Sequence, residues 1–238
     1  MDKQLYNFYA NDKLGFFVDH VLIPNNKSGK ITKIELFGWK QQILHADNIL
    51  IKKARNLGIT ELLAADIAYN LNFKNDFDML YMTINLAMSQ DIKHKVVRHF
   101  SNIPDNIRIG LKAGQNKNTY ETVNNNMVQF SGDNPSVGCS MRYNEIYLEE
   151  VDSFKDFYNT FSGVAACLSI PDGRMVITAT PLSGNSHFHM LWNNPANKFD
   201  KLELTYQSVS TILNKKRKKS LNDISKTAYS KIIREWAI

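Results

Sequence analysis

The chain has 238 residues, of which 43% are hydrophobic, and it carries a formal net charge of +6. This length suits one domain with a small appendage, and the apolar content is enough for a sizeable core. Two cysteines argue against a disulfide framework, and the sequence contains no apolar stretch of membrane-spanning length. We therefore expect a cytosolic protein with no membrane partner.

The excess positive charge is concentrated near the C-terminus. Residues 201–238 hold nine lysines and arginines against three acids, whereas residues 1–200 hold twenty of each. The densest stretch is residues 215–219, with the sequence KKRKK. It could contact nucleic-acid phosphates in a salt-dependent way, or it could be a solvated linker or helix end. We predict an N-terminal extension at residues 1–30, a nucleotide-hydrolysing domain at 31–200 and a basic appendage or linker at 201–238.

The predicted elements alternate between helices and strands. In chain order they are a helix at 36–47, a strand at 48–52, a helix at 60–72, a strand at 78–84, a helix at 86–101, a β-ribbon at 119–130, a strand at 145–149, a helix at 153–168 and a strand from 174 that Pro181 closes. This alternation predicts an α/β fold with a mainly parallel sheet flanked by helices.

Two further expectations concern side chains on these elements. The helix at 86–101 carries Lys93, Lys95 and Arg98 on one face, which we expect to be mostly solvated. His187 and His189 are expected on a strand, where alternate residues share a face. Such a pair could hold a metal, but no third ligand is evident, so we expect a structural role.

Residues 53–60, with the sequence KARNLGIT, partly match the phosphate-binding motif G-x-x-x-x-G-K-[ST]. Gly58 and Thr60 occupy the second glycine and the hydroxyl positions, whereas Ile59 replaces the usual lysine. Lys53 or Arg55 could supply the cation that phosphate oxygens require. A strand before the loop and a helix after it make an anion site, although an ordinary strand-to-helix turn is the alternative.

Glu149 and Glu150 follow a buried strand, at the edge of a parallel sheet where ligands gather. We assign Glu149 to Mg²⁺ and Glu150 to the attacking water; a solvated acidic loop is the alternative. Thr178 and Thr180 end a neighbouring strand and face the same way. They could sense the terminal phosphate, or the strand could simply stop at Pro181.

Taken in this order, these segments resemble the ATPase domain of the large terminase subunit of tailed bacteriophages, a motor that threads DNA into capsids. The resemblance covers residues 15–195. Residues 36–44 resemble its adenine-recognising segment, 53–60 its variant phosphate loop, 146–150 its acidic strand end, 178–181 its coupling motif and 184–192 the segment after that motif. Lys40 stands where a glutamine is expected, with Gln41 one place later, and Glu149 replaces the commoner aspartate.

The resemblance implies a RecA/ASCE-like P-loop NTPase with a β-ribbon insertion, using ATP and Mg²⁺. It implies catalytic roles for Glu150, Arg55 and Lys53, and metal binding by Thr60 and Glu149. The implied coupling residues are Thr178, Ala179, Thr180 and Pro181. The implied nucleotide-binding residues are Trp39, Lys40, Gln41, Lys53, Ala54, Arg55, Asn56, Leu57, Gly58, Ile59 and Thr60.

The implied function is ATP hydrolysis that powers translocation of double-stranded viral DNA into a procapsid in the host cytoplasm. The implied partners are double-stranded DNA, a portal protein, a small terminase subunit, a separate nuclease chain and further copies in a ring. Because the chain ends at Ile238, we expect no nuclease activity from it. Two alternatives remain: a RecA-like helicase or translocase, and a non-hydrolysing nucleotide- or DNA-binding subunit of a packaging complex.

Overall fold

The computed structural model describes residues 1–24, 31–137, 141–168, 173–181 and 186–210. The chain divides into two compact units, Met1–Glu203 and Leu204–Ile238. The basic stretch at 215–219 and residues 184–185 of the predicted post-coupling segment lie outside the described residues. The three-part division proposed from the sequence therefore stays a prediction. In the described part of the second unit, Thr205 and Ser208 exchange hydrogen bonds of 3.0 and 3.1 Å.

The first unit is built on a seven-stranded sheet. Its strands are β3 (Asn48–Lys53), β4 (Asp78–Thr83), β5 (Thr119–Glu121), β6 (Met127–Gly132), β7 (Glu145–Glu149), β8 (Arg174–Ala179) and β9 (Asp200–Leu204), with the order β5-β6-β4-β7-β8-β3-β9. Two short strands, β1 (Leu22–Pro24) and β2 (Ile31–Lys33), form a separate antiparallel pair.

The five neighbouring strands from β6 to β3 run parallel, which confirms the predicted mainly parallel sheet. All residues of β7 and β8 are buried, because helices cover both faces at the centre of such a sheet. The predicted β-ribbon is formed by the antiparallel pair β5 and β6. Since β6 also pairs with β4, the ribbon belongs to the main sheet.

The helices are α1 (Lys3–Asn11), α2 (Lys13–His20), α3 (Gly38–His45), α4 (Ile59–Phe73), α5 (Leu86–Ser101), α6 (Phe157–Ala165) and α7 (His187–Asn193). Polar side chains start five of them by accepting a backbone N–H two or three residues into the helix: Asp2, Asp12, Asn85, Asp156 and Ser186. None of the helices in the described ranges is long and apolar enough to cross a membrane.

The placement of His187 and His189 on a strand is wrong. Both lie on α7, whose start is fixed by the Ser186 hydroxyl accepting from the His189 N–H at 3.1 Å. The same helix brings the His189 ring within 2.7 Å of the Asn193 amide, one turn on. Within the described ranges, no group of three or more His, Cys, Asp or Glu side chains is arranged to hold a metal ion.

A buried charge network fastens the N-terminal helices to the start of the central strands. Asp66 of α4 is fully buried and pairs with Lys13 of α2 at 2.6 Å and with Arg174 of β8 at 3.0 Å. Arg174 also pairs with Glu145 of β7 at 3.2 Å, and the Tyr147 hydroxyl donates to Asp66 at 2.7 Å. Each buried charge therefore has an opposite charge beside it, as burial requires.

Candidate active site

The parallel register brings the carboxyl ends of three strands to one level. In β8, Thr178 lies opposite both Ile51 of β3 and Glu149 of β7. The residues that follow, Lys53 and Glu150, therefore leave the sheet at the same edge. This is the edge at which open parallel sheets bind ligands.

A tight turn leads from β3 into α4. Asn56 and Gly58 adopt left-handed backbone conformations, with φ of 61° and 77°. Gly58 is the residue that precedes α4, and no side chain caps the helix there. The first N–H groups of a helix have no intrahelical partner and carry the positive end of its dipole, so this turn has the character of an anion site.

Lys53 lies at the end of β3 and is only 7% exposed. Its amine forms an ion pair with the Glu150 carboxylate. The same amine lies 3.4 Å from the Thr180 hydroxyl. Lys53, Glu150 and Thr180, from three separate segments, thus form one hydrogen-bonded group.

The Glu150 carboxylate is held from the coupling strand as well as by Lys53. It accepts hydrogen bonds from the Thr180 backbone N–H and hydroxyl, both at 3.1 Å. Its own N–H lies 3.4 Å from the Thr178 hydroxyl. Glu150 has φ 60° and ψ 43°, a left-handed conformation that costs a non-glycine residue about 1–2 kcal/mol. These contacts hold Glu150 in it.

Glu149 is 3% exposed, and hydroxyl groups engage both of its carboxylate oxygens. The Thr60 hydroxyl donates to Oε1 and the Tyr81 hydroxyl donates to Oε2. Burial raises the pKa of Glu149, while the two hydroxyl donors and the charge of Lys53 oppose that rise. Tyr81 was not among the residues predicted from the sequence; the one signal for it is a hydroxyl in the otherwise apolar core of β4.

These groups border a cleft of about 620 Å³. The sequence-predicted residues that line it are Lys53, Arg55, Asn56, Leu57, Gly58, Ile59, Thr60 and Glu150. The lining residues that were not predicted are Pro24, Glu61, Ile84, Met88, Lys95, Arg98 and Ser153. The structure therefore brings most of the phosphate loop and one of the two acids to a single surface, and adds a wall from α5.

The wall from α5 includes a charged group beside the first turn of α4. Glu61 pairs with Arg98, and the His99 Nε2 lies 2.8 Å from its carboxylate. Burial alone would raise the pKa of Glu61, but the hydrogen bonds and charges of His99 and Arg98 outweigh it and lower the pKa. Glu61 is thus held as a carboxylate within the cleft.

The expectation that the basic face of α5 is mostly solvated does not hold. The Lys93 amine donates to the carbonyls of Asn116, Lys117 and Thr119 at 2.6, 3.0 and 2.8 Å. Lys95 and Arg98 instead line the cleft. Helical spacing placed these residues on one side of α5, but the neighbouring segments that cover that side are distant in sequence.

The predicted adenine-recognising residues lie elsewhere on this unit. Trp39 is 6% exposed, and the Lys40 amine donates to the Glu35 carbonyl at 2.7 Å. Gln41 is exposed and lies 3.4 Å from the Leu36 carbonyl. None of these three residues, nor Ala54, is part of the lining of the cleft. Their role in nucleotide binding stays a prediction.

No protein-family model matches the sequence, and no curated protein matches it. Solved structures do share its fold. The HK97 bacteriophage large terminase gives a TM-score of 0.60 at 11% identity, over 77% of this chain and 40% of that chain. The ATPase domain of the Thermus phage P74-26 large terminase gives 0.57 at 12% identity, over 85% and 95%.

The large terminase of another thermophilic bacteriophage, in complex with ATP-γ-S, gives a TM-score of 0.57 at 11% identity, over 80% of this chain and 50% of that chain. The present chain therefore spans half or less of the HK97 chain and of the ATP-γ-S-bound chain, but nearly all of the P74-26 ATPase domain. The predicted resemblance is confirmed at the level of the fold: this chain has the fold of the large-terminase ATPase domain.

Proposed function

We propose that this chain is an Mg²⁺-dependent ATPase that powers movement of double-stranded DNA into a viral procapsid. The observation that carries the proposal is the meeting of Lys53, Thr60, Glu149, Glu150 and Thr180 at one sheet edge. These residues come from three separate segments of the chain. A loop cation, a hydroxyl and two acids are the groups that phosphoryl transfer to water requires.

Phosphate binding would use the turn before α4 together with Lys53 and Arg55. The N-terminus of α4 is uncapped by any side chain, and both cations line the cleft. Bound phosphates would compete with Glu150 for the Lys53 amine, because they carry more negative charge than one carboxylate. Loss of that ion pair would leave the Glu150 carboxylate available to a water molecule.

The residues at Glu149 fit a magnesium ion. The Thr60 hydroxyl and the Glu149 carboxylate are in direct contact, and both are oxygen ligands of the kind that Mg²⁺ prefers. These two residues would hold the ion. Bound there, Mg²⁺ would supply charge neutralisation at the phosphate oxygens.

Glu150 would accept the proton of the attacking water. Its carboxylate is bonded to the N–H and hydroxyl of Thr180, so a change in Glu150 on hydrolysis would be felt directly by residues 178–181. This contact is the physical basis we propose for coupling chemistry to movement. It involves the segment assigned from the sequence as the coupling motif.

The proposed assembly rests on the fold likeness. We propose a homo-oligomeric ring that engages double-stranded DNA, a portal protein and a small terminase subunit in the host cytoplasm, with cleavage of DNA by a separate nuclease chain. The basic stretch at 215–219 is the proposed DNA-phosphate contact. Its affinity for DNA would fall steeply with salt, and it would not read base sequence.

ATP turnover by the purified chain, measured with Mg²⁺ and with or without duplex DNA, tests the proposal. We expect turnover that Lys53→Ala lowers by roughly a hundredfold or more, because the loop cation is lost. Lys117→Ala, which removes an exposed lysine elsewhere, should leave turnover unchanged. Separation of strands on a forked duplex would favour the helicase alternative, and ATP binding without turnover would favour the non-hydrolysing subunit. Failure to bind ATP would contradict the proposal.

A further inference from the structure

Lys95 of α5 lies where two cavities meet. It lines the cleft of about 620 Å³ and also an adjoining cavity of about 210 Å³. Thr60, Met88 and Glu150 line both cavities as well, whereas Tyr81 and Glu149 line only the smaller one. The Lys95 side chain therefore belongs to the same surface as the residues assigned to the metal and to the attacking water.

The Lys95 amine is the available cation of this wall. In the part of the chain that the structure describes, it forms no hydrogen bond or ion pair. Lys53 is paired with Glu150 and Arg98 with Glu61, so two other cations of the cleft are already matched by carboxylates. Asp91, one turn earlier on α5, lines the smaller cavity but is not paired with Lys95.

The charge of the expected ligand calls for a further cation. A nucleoside triphosphate carries about four negative charges near neutral pH, and one Mg²⁺ offsets two of them. Ile59 stands at the position where the phosphate-loop motif has its lysine. In a partly dry site, phosphate charge without a matching cation is costly, so a lysine from another element would strengthen binding.

We propose that Lys95 binds the terminal phosphate of ATP, so that α5 supplies a phosphate contact that the loop motif lacks. The inference rests on the proposed ATPase function. The terminal phosphate is the group that the water at Glu150 attacks, so it must lie near Glu150 and Thr60. Lys95 shares both cavities with these two residues, whereas the phosphates nearer the nucleoside would lie against the loop.

Calorimetric titration with Mg²⁺·AMP-PNP and with Mg²⁺·ADP tests the inference, because the two ligands differ in the terminal phosphate. For Lys95→Gln we expect roughly tenfold weaker binding of AMP-PNP, the size of one charge-assisted hydrogen bond, and ADP binding within about twofold of wild type. Lys95→Arg keeps the charge and should retain most of the AMP-PNP affinity. Lys117→Gln controls for the change in net charge.

The outcomes separate the inference from the function on which it rests. Wild-type protein that binds neither nucleotide would overturn both. Wild-type binding with Lys95→Gln unchanged would overturn the role of Lys95 alone. Equal weakening of AMP-PNP and ADP, or the same loss in Lys117→Gln, would also overturn it, since the effect would not depend on the terminal phosphate. Retained ADP binding shows in the same experiment that Lys95→Gln is folded.

Discussion

Tyr81 is a single hydroxyl whose role is set entirely by its neighbour on the next strand. It lies on β4 opposite Tyr147 of β7, and its ring is fully buried. Its hydroxyl donates to the Glu149 oxygen that Thr60 leaves unoccupied. We therefore regard it as a positioning residue, because it fixes a carboxylate that would hold Mg²⁺ without touching the ion itself.

Tyr81→Phe should weaken the site without unfolding the protein. Losing the hydroxyl leaves one Glu149 oxygen buried and unsatisfied, and such changes around a metal ligand cost about 10–100-fold in metal affinity. The measurement is the Mg²⁺ concentration that gives half-maximal binding of a fluorescent ATP analogue. We expect at least a tenfold increase.

Tyr143→Phe is the matched control for Tyr81→Phe. Tyr143 is also buried, but its hydroxyl donates to the neutral Gln129 amide at 2.6 Å, away from Glu149. It should cost a similar amount of stability and leave the Mg²⁺ requirement unchanged. Equal shifts in the two variants, or none in Tyr81→Phe, would refute the positioning role.

The residues found from the sequence and those missed differ in kind. Lys53, Thr60 and Glu149 lie at strand-to-loop and loop-to-helix junctions, where motif spacing predicts them. Tyr81 and Lys95 lie inside a strand and a helix whose patterns are dominated by burial and periodicity. Only the three-dimensional neighbours, which are remote in sequence, reveal that these two side chains face the site.

At the scale of elements, the end of β6 and the start of α5 approach so closely that Gly132 has no room for a side chain. A Cβ atom there would lie 2.6 Å from the Leu86 nitrogen and 2.8 Å from the Asn85 Cα. These are backbone atoms, so relief requires α5 to move. Because α5 carries Lys95 and Arg98, the position of Gly132 also bears on the geometry of the cleft.

Gly132→Ala should lower the free energy of unfolding by roughly 1–3 kcal/mol, the usual cost of overpacking. Gly38→Ala is the control, since Gly38 begins α3 and an added Cβ would meet no atom within 4 Å. It should be neutral or stabilise by up to about 1 kcal/mol, because alanine favours helix. Urea unfolding measures both; equal effects would mean that the close approach of β6 and α5 carries no cost.

The elements themselves were largely predictable. The apolar runs at 48–52 and 78–84 and the helical patterns at 60–72 and 86–101 match β3, β4, α4 and α5 within a residue or two. The failures were long-range or short. Pairing of β6 with β4 joins residues about fifty positions apart, which local patterns do not encode, and α7 has only seven residues, too few to display a helical period.

At the scale of the whole molecule, the network around Asp66 links stability to pH. Burial alone would raise the pKa of Asp66, but the charges of Lys13 and Arg174 and the hydrogen bonds from Lys13 and Tyr147 lower it to about 2. The folded pKa lies below the unfolded one, so Asp66 contributes stability above about pH 4. That contribution, roughly 2 kcal/mol, is lost as the pH falls towards 2.

Lys13→Met should remove part of this pH-dependent stability. The methionine keeps the packing of the lysine stem but leaves Asp66 with Arg174 as its charged partner. We expect a loss of about 2 kcal/mol at pH 7 and a smaller further loss than wild type between pH 5 and pH 3. Urea unfolding at the three pH values, with Lys3→Met as an exposed control, measures this. A pH dependence identical to wild type would contradict it.

The fold class was predictable at this scale, whereas the network was not. Alternating helices and strands indicate a parallel sheet, but nothing in the spacing of Lys13, Asp66, Glu145 and Arg174 predicts that they meet. Their contact depends on α2 packing beside α4, where Phe16 lies 5.1 Å from Phe73 between ring centres. Such packing follows from shape and burial.

The most direct test of the central claim is Glu150→Gln, with ATP binding and ATP turnover measured on the same preparation. Glutamine keeps the size of the side chain and can still accept from Thr180, but it cannot take a proton from water. We predict that Mg²⁺·ATP still binds and that turnover falls by at least about a hundredfold. Undiminished turnover would contradict the role of Glu150 and the site built around it.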